Sequence, residues 1–331
     1  MRRVLERLDE LYSIGGGPGA NRIGYSDEED AAHDLAADWM RQAGLEVDVD
    51  SATNLIGRRG DARIWTGSHL DSVPNGGRFD GALGVVAAIE AAERLPEQPM
   101  AVVAFRAEEN GPMGSRALMR LPDAFLELHV EQGPVLEQAG APIGVVTTFA
   151  AQARGLMEFR GHADHAGTTP MDARKDALVE AAEFILRVSE AARPPAVATV
   201  GALRVEPNAA NVVPARVTIT VDARAPSGDQ LDALIAELGF QPSWRLDPVA
   251  MTGAPFQVLC SLFPDAPRLV SGAGHDAMVL AAAGVPTAML FVRSLNGGVS
   301  HSPEELTSDE DVAVAVDALT VALAALTARR S

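Results

Sequence analysis

The sequence predicts an α/β fold in which a mixed sheet is interrupted by an inserted α+β block, and three observations carry that prediction. Apolar strand patterns alternate with helical ones up to about residue 150, the order expected of a largely parallel-type sheet with helices on both faces. From Gln152 the pattern changes to paired strands with two helices. Near Arg268 the first alternation resumes. The chain therefore divides into residues 1–151, an insert at 152–253 and a return at 254–331.

Each element has its own justification. Residues 27–42 carry a helical pattern, and 62–68 read as a short strand. An Ala-rich helix with no breaker after Gly84 runs from 82 to 95, followed by apolar strands at 100–105 and 124–128. Within the insert, a strand at 156–160 precedes a long helix at 172–192, strands at 196–205 and 212–224, and a helix at 227–238. Arg193-Pro194-Pro195 reads as a turn between helix and strand. After the insert come a helix at 275–283, a strand at 287–292 and a closing helix at 308–326.

Chemistry collects where these strands end, which is where open α/β sheets gather ligands. His69-Leu70-Asp71 ends one strand, and Asp80 sits at the turn before the next helix. Glu108-Glu109 ends a second strand and His129-Val130-Glu131-Gln132 a third, while His301 lies in a Gly/Ser/Pro loop ahead of the last helix. Taken alone, the His-x-Asp stretch is equally a satisfied polar loop, and Glu108 and Glu109 could be a solvated helix start. Taken together, three histidines with Asp80 and a Glu make a dinuclear set. Imidazole with carboxylate suits Zn²⁺, Mn²⁺, Co²⁺ or Ni²⁺, and the chain offers no soft thiolate cluster.

Composition narrows the partners. With 45 acidic against 27 basic residues the net charge is −18, which argues against nucleic acid or an anionic membrane surface. The single cysteine, Cys260, excludes an internal disulfide framework, fits a reducing compartment and reads as a small core residue. Glu6, Asp9 and Glu10 interrupt any N-terminal apolar segment, and no run of 18 apolar residues occurs. A cytoplasmic protein with no membrane anchor is expected.

Eight segments then carry a resemblance: GSHLDSVPNGGRFDG, AEEN, ELHVEQGPVLE, GHADHAGTTPMDARKDA, PNAANVVP, VDARAPSG, SGAGHDA and GVSHSPEEL. In this order, from about Tyr25 to about Leu306, they resemble the amidase/hydantoinase/carbamoylase branch of the M20 metallopeptidase-like family. That branch includes N-carbamoyl-L-amino-acid hydrolases, β-ureidopropionases and allantoate amidohydrolases. The motifs HVEQGP and HAGTTPM are specific to it.

The resemblance implies a dinuclear metallohydrolase domain whose α+β insert is a lid and dimerisation domain, hence a homodimer. It implies two divalent ions per chain, one held by His69, Asp80 and His129, the other by Asp80, Glu109 and His301. In such sites the ions lie about 3.5–4 Å apart. Glu108 resembles the general base, taking a proton from water and passing it to the leaving nitrogen. His165 resembles an oxyanion-stabilising histidine that in the family comes from the neighbouring subunit. Asn211 and Arg224 resemble ligands of a substrate carboxylate, for which an arginine fork suits better than a lysine. Gln132 and His275 read either as further substrate contacts or as residues that order their loops. His33 and His162 match no family role.

The chain departs from the family in two respects. Relatives carry several more residues between the Glu pair and the Met-Gly-Ser motif, whereas here Asn110-Gly111-Pro112 alone separates Glu109 from Met113. The chain is also short between Gly239 and Arg268 and before Tyr25. These differences bear on the pocket wall and substrate class rather than on the ligands. The expected activity is metal-dependent hydrolysis of the C–N bond of an N-carbamoyl (ureido) amino acid, releasing ammonia, CO₂ and an amine. Allantoate is the nearest competing substrate; an M20 dipeptidase or N-acyl-amino-acid deacylase is a further alternative, and a non-catalytic scaffold a fourth.

Overall fold

The computed structural model describes residues 1–328. They form two compact units, Met1–Thr147 with the chain from Ala250 onward, and Thr148–Val249.

The first unit opens with α1 (Arg2–Ser13), an amphipathic helix that buries Val4, Leu8 and Leu11. Helix α2 (Asp27–Gln42) is capped by Ser26, whose hydroxyl accepts from the Glu29 amide, and four acids fill its first turn. An antiparallel pair, β1 (Glu46–Val49) and β2 (Leu55–Arg59), precedes β3 (Ile64–His69), α3 (Ala82–Arg94), β4 (Met100–Phe105), the short α4 (Met113–Arg116) and β5 (Ala124–Val130). Next come α5 (Val135–Ala139) and β6 (Ile143–Phe149).

In the inserted unit, β7 (Ala151–Arg160) leads to α6 (Ala177–Ala191), β8 (Val197–Glu206), β9 (Arg216–Ala225), α7 (Gly228–Leu238) and β10 (Trp244–Leu246). The chain returns through β11 (Val249–Ala250), α8 (Gly253–Leu262), β12 (Arg268–Ser271), α9 (Asp276–Ala282), β13 (Thr287–Val292) and α10 (Asp309–Ala328).

A nine-stranded sheet runs β1-β2-β4-β3-β5-β13-β6-β11, with β12 beside β6. Its centre is parallel, from β4 through β3 and β5 to β13, and β2 and β6 flank that centre antiparallel. Strands β3, β4, β5 and β13 are buried along their whole length, as befits strands covered on both faces. Val102 and Ala104 join α1, α2, α3, α8 and α10 in one large core, and the alternating residues Val103 and Phe105 turn to the opposite face. Helix α9 packs on β5 and β13.

By length and composition α10 could cross a membrane, but 56% of its apolar window is buried. It packs on α3 and α8, and its Asp311 accepts two hydrogen bonds from Arg293 at 2.8 Å each. It is a core helix.

The inserted unit holds a four-stranded antiparallel sheet in the order β10-β7-β9-β8. Burial alternates along β9, so Val217, Ile219, Val221 and Ala223 meet α6 and α7 while Thr218, Thr220, Asp222 and Arg224 face the other way. The helix expected at 172–192 begins only at Ala177. Asp176 caps it by accepting from the amides of Leu178 and Val179, and Met171–Ala173 forms a separate 3₁₀ turn. The strand expected from 212 begins at Arg216, since the segment before it contains Pro214 and bridges only through Val212 and His165.

Candidate metal centre

Three neighbouring parallel strands deliver their C-terminal ends to one place: β4, β3 and β5. His69 is the last residue of β3, His129 lies near the end of β5, and Glu108 and Glu109 follow β4. Asp80 is carried by the turn before α3, and His301 by the loop before α10. Gly81 makes the turn possible, with a left-handed φ of 63° and the His69 ring only 2.4 Å from where a Cβ would stand.

Five of the residues singled out in the sequence form two groups of potential metal donors that share Asp80. His69, Asp80 and His129 form one, and Asp80, Glu109 and His301 the other, with ligand atoms within 4.8 Å of one another in each. Asp80 Oδ1 lies 3.2 Å from His129 Nε2 and 3.8 Å from His69 Nε2. Its Oδ2 lies 3.3 Å from His301 Nε2, which is itself 3.3 Å from Glu109 Oε1.

The tautomers fit a cation. His69 Nδ1 faces Asp71, 3.2 Å from Oδ1, and His129 Nδ1 lies 3.0 Å from the Val130 carbonyl oxygen. With protons on both Nδ1 atoms, the two Nε2 atoms face each other across 3.4 Å beside a carboxylate, and become lone-pair donors once the rings are neutral. A divalent ion satisfies that arrangement. A third group, Glu127 with His129 and His275, is as closely spaced. Glu127, however, is already engaged, accepting from Ser68 Oγ at 2.7 Å and the Ala277 amide at 2.8 Å.

The protonation energetics reflect a crowd of buried carboxylates. Burial, then Asp276, Glu109 and Asp71, push the Glu108 carboxyl well above its ordinary range, against the opposing pull of His69. Glu109 is raised to about 7 by burial and by Asp80. Burial opposes a charged His69, yet Asp71, Glu108 and Asp80 outweigh it and raise the ring well above its usual value. The Asp80 contact raises His301 to about 9. Asp80 is held well below its usual range by His129 and His301 despite its burial. Glu108 is not among the donor groups; its Oε2 stands 3.9 Å from His69 Nε2.

The remaining candidate residues divide by unit. Gln132 and His275 lie in the first unit beside the donors. Gln132 Nε2 donates to Asp80 Oδ2 at 3.0 Å, and the buried His275 ring is 4.4 Å from that of His129, between centroids. His165, Asn211 and Arg224 lie in the inserted unit. His165 and Asn211 are exposed, and Arg224 Nε donates to Asp222 Oδ1 at 2.8 Å. The Gly167 amide donates to His165 Nδ1 at 3.0 Å, so the neutral ring carries its proton on the exposed Nε2.

Several groups that hold the site have no role in the sequence reading. Asp71 accepts from the amides of Glu108 and Glu109 at 3.0 Å each while facing His69, tying β3 to the turn after β4. Glu29 accepts from the Ala107 amide at 2.9 Å and braces the same turn from α2. Glu305 accepts from the Asp80 amide at 3.0 Å, and Ser300 links Glu305 to Gln132. Asp71 was open to detection, two residues past His69; Glu29 and Glu305 become visible only once the chain has folded.

The profile of peptidase family M20/M25/M40 matches residues 65–325. An N-carbamoyl-L-amino acid amidohydrolase of Geobacillus stearothermophilus is 37% identical, with 96% of each chain covered. An allantoate amidohydrolase of Bacillus subtilis is 33% identical over 93% of each. Among solved structures, a hydantoinase/carbamoylase family amidase from Burkholderia ambifaria superposes with a TM-score of 0.89 at 31% identity, covering 98% of this chain and 97% of that one. With these matches and the donor set at the strand ends, the chain belongs to peptidase family M20/M25/M40, in its hydantoinase/carbamoylase amidase branch.

Proposed function

We propose that this protein is a metal-dependent amidohydrolase that cleaves the C–N bond of an N-carbamoyl (ureido) amino acid. The observation that carries the reading is the pair of donor groups sharing Asp80, with Glu108 beside them but outside both. His69, Asp80 and His129 would hold one divalent ion and Asp80, Glu109 and His301 a second, drawn from Zn²⁺, Mn²⁺, Co²⁺ or Ni²⁺. When bound, the ions act as Lewis acids that polarise the substrate carbonyl and acidify water.

The chain's residues do the rest. Glu108, buried and crowded by like charges, takes a proton from water and returns it to the leaving nitrogen. His165 Nε2–H donates to the oxyanion that forms as water adds to the carbonyl carbon. Asn211 and the Arg224 guanidinium bind the substrate carboxylate. One water enters, the C–N bond breaks, and the products are an amine and carbamic acid, which decomposes to CO₂ and ammonia.

The similarity to both carbamoyl-amino-acid and allantoate amidohydrolases keeps allantoate as the second reading. We also infer a homodimer through the inserted unit, because β8 is an edge strand whose unpaired backbone side a second copy would cover.

The deciding experiment measures ammonia release by Mn²⁺-reconstituted protein from N-carbamoyl-L-amino acids, N-carbamoyl-β-alanine and allantoate, with N-acetyl and dipeptide controls. Ammonia from a carbamoyl amino acid is expected. Free amine from only the acetyl or peptide controls would overturn the ureido assignment, and silence across the panel would overturn the enzyme reading.

A further inference from the structure

In the ionised state of Glu305, whose carboxyl burial and the neighbouring Asp80 raise to about 7, the hydrogen bonds around Asp80 run in one direction only. The amides of Phe79 and Asp80 can only donate, and both donate to Glu305 Oε1, at 2.7 and 3.0 Å. Glu305 Oε2 accepts the single hydroxyl proton of Ser300 at 2.9 Å. Having spent that proton, Ser300 Oγ accepts from Gln132 Nε2 at 3.1 Å. The second proton of the Gln132 amide goes to Asp80 Oδ2 at 3.0 Å. A carboxylate oxygen cannot donate, so this last contact fixes which end of the Gln132 amide faces Asp80.

Three segments far apart in sequence close this ring, and local structure holds each in place. Glu305 is buried, and its carboxylate lies so close to Gly77 that a Cβ there would stand 2.2 Å from Glu305 Cδ. Gln132 has a left-handed φ of 55°, and its backbone N–H donates to Ser294 Oγ.

We propose that Glu305 is a positioning residue, whose acceptor-only carboxylate sets the direction of the Gln132–Ser300 relay and so holds Asp80 Oδ2 toward His301 and Glu109. The inference rests on the metal reading above and deepens it. Asp80 is gripped at its backbone nitrogen and at Oδ2, the oxygen on the His301 side, while Oδ1 faces His129 and His69. The relay therefore acts on the Asp80–Glu109–His301 ion more than on its neighbour.

Glu305→Gln keeps the shape and reverses the polarity. If its oxygen still takes both backbone amides, its new NH₂ group faces Ser300, whose hydroxyl proton can no longer go to residue 305 and is free to turn to Gln132. When it does, the Gln132 side-chain amide flips and presents oxygen to Asp80 Oδ2. Ser300→Ala only cuts the relay and leaves the Gln132–Asp80 bond able to form, so its effect is smaller.

The test titrates apo wild type, Glu305→Gln and Ser300→Ala with Mn²⁺ by calorimetry and chelator competition, alongside apo melting temperature and the kcat–KM split. Wild type is expected to bind two ions. Glu305→Gln should keep one near wild-type affinity and bind the other about 10–100-fold more weakly, the usual cost of losing an outer-shell partner. Its apo melting temperature should hold, and excess Mn²⁺ should restore kcat. Unaltered binding of both ions in Glu305→Gln overturns the positioning role. So does equal weakening of both ions with a lowered apo melting temperature, which marks general structural damage. Should Glu305→Gln fail to fold, Ser300→Ala decides in its place: selective weakening of one ion supports the role, and unaltered binding of both overturns it. A wild-type chain that binds fewer than two ions overturns the metal reading itself, and this inference with it.

Discussion

The two units solve the problem of holding reactive side chains in opposite ways. In the first, His69, Asp80 and His129 are almost wholly buried, on strand ends and a turn cross-braced by Asp71, Glu305 and Gln132. In the second, His165 and Asn211 sit on exposed loops, and Arg224 lies on the uncovered face of an antiparallel sheet. Parallel strands buried on both faces give fixed, dehydrated positions; an antiparallel sheet with one open face gives accessible ones. Substitutions in the first unit should therefore be able to alter metal content, whereas those in the second should alter turnover or substrate binding and leave metal content alone.

The largest expected effect tests the first half of that contrast. Glu108→Gln should lower kcat by about 10²–10⁴ with metal content unchanged, as judged by elemental analysis of the purified variant. Retained turnover would remove Glu108 from its role, and lost metal would place it among the ligands. The second half is tested by His165→Ala, expected to cost about 10²–10³ in kcat with both ions still bound. Should the ions be lost as well, the division of labour between the units breaks down.

A smaller effect is expected at Arg224. Removing hydrogen bonds to a charged group worth about 1.5–3 kcal/mol should raise KM about 10–100-fold in Arg224→Leu for carboxylate substrates. An unchanged KM would show that the carboxylate is held elsewhere.

The smallest effect concerns stability and sharpens the picture of the dry first unit. Burial, reinforced by Arg106, lowers His33 to about 3, far below its ordinary 6.5. Between these values the unfolded chain binds a proton that the folded chain refuses, so this contribution to stability is present above about pH 6.5 and is lost as pH falls toward 3. His33→Gln should flatten the melting-temperature profile in that window by a few degrees and leave it unchanged above pH 7. A profile as steep as that of wild type would show that other groups govern acid unfolding.

Much of the architecture is legible because its signals are local. The α2, β4 and β13 bounds read from the sequence agree with the structure, since caps, apolar runs and breakers act within a few residues. The pattern at 172–192 overruns the true helix because the Asp176 cap competes with a periodicity that continues through it. The hairpin of β1 and β2 escapes a sequence reading because the largely exposed β1 carries no strong apolar pattern, whereas α1 has a legible apolar stripe in Val4, Leu8 and Leu11 although no helix is expected there.

The sequence by itself determined the kinds of donor, their order and the strand ends that carry them, because residue type and strand periodicity are properties of short segments. The resemblance in the sequence already implied that Asp80 is shared by both groups and that Glu108 lies outside them; tertiary structure alone decided that Asp71, Glu29 and Glu305 brace them. Those relations join residues as far apart as 80 and 305. No local pattern can encode such a distance; the sheet creates it by bringing three parallel strands to a common edge.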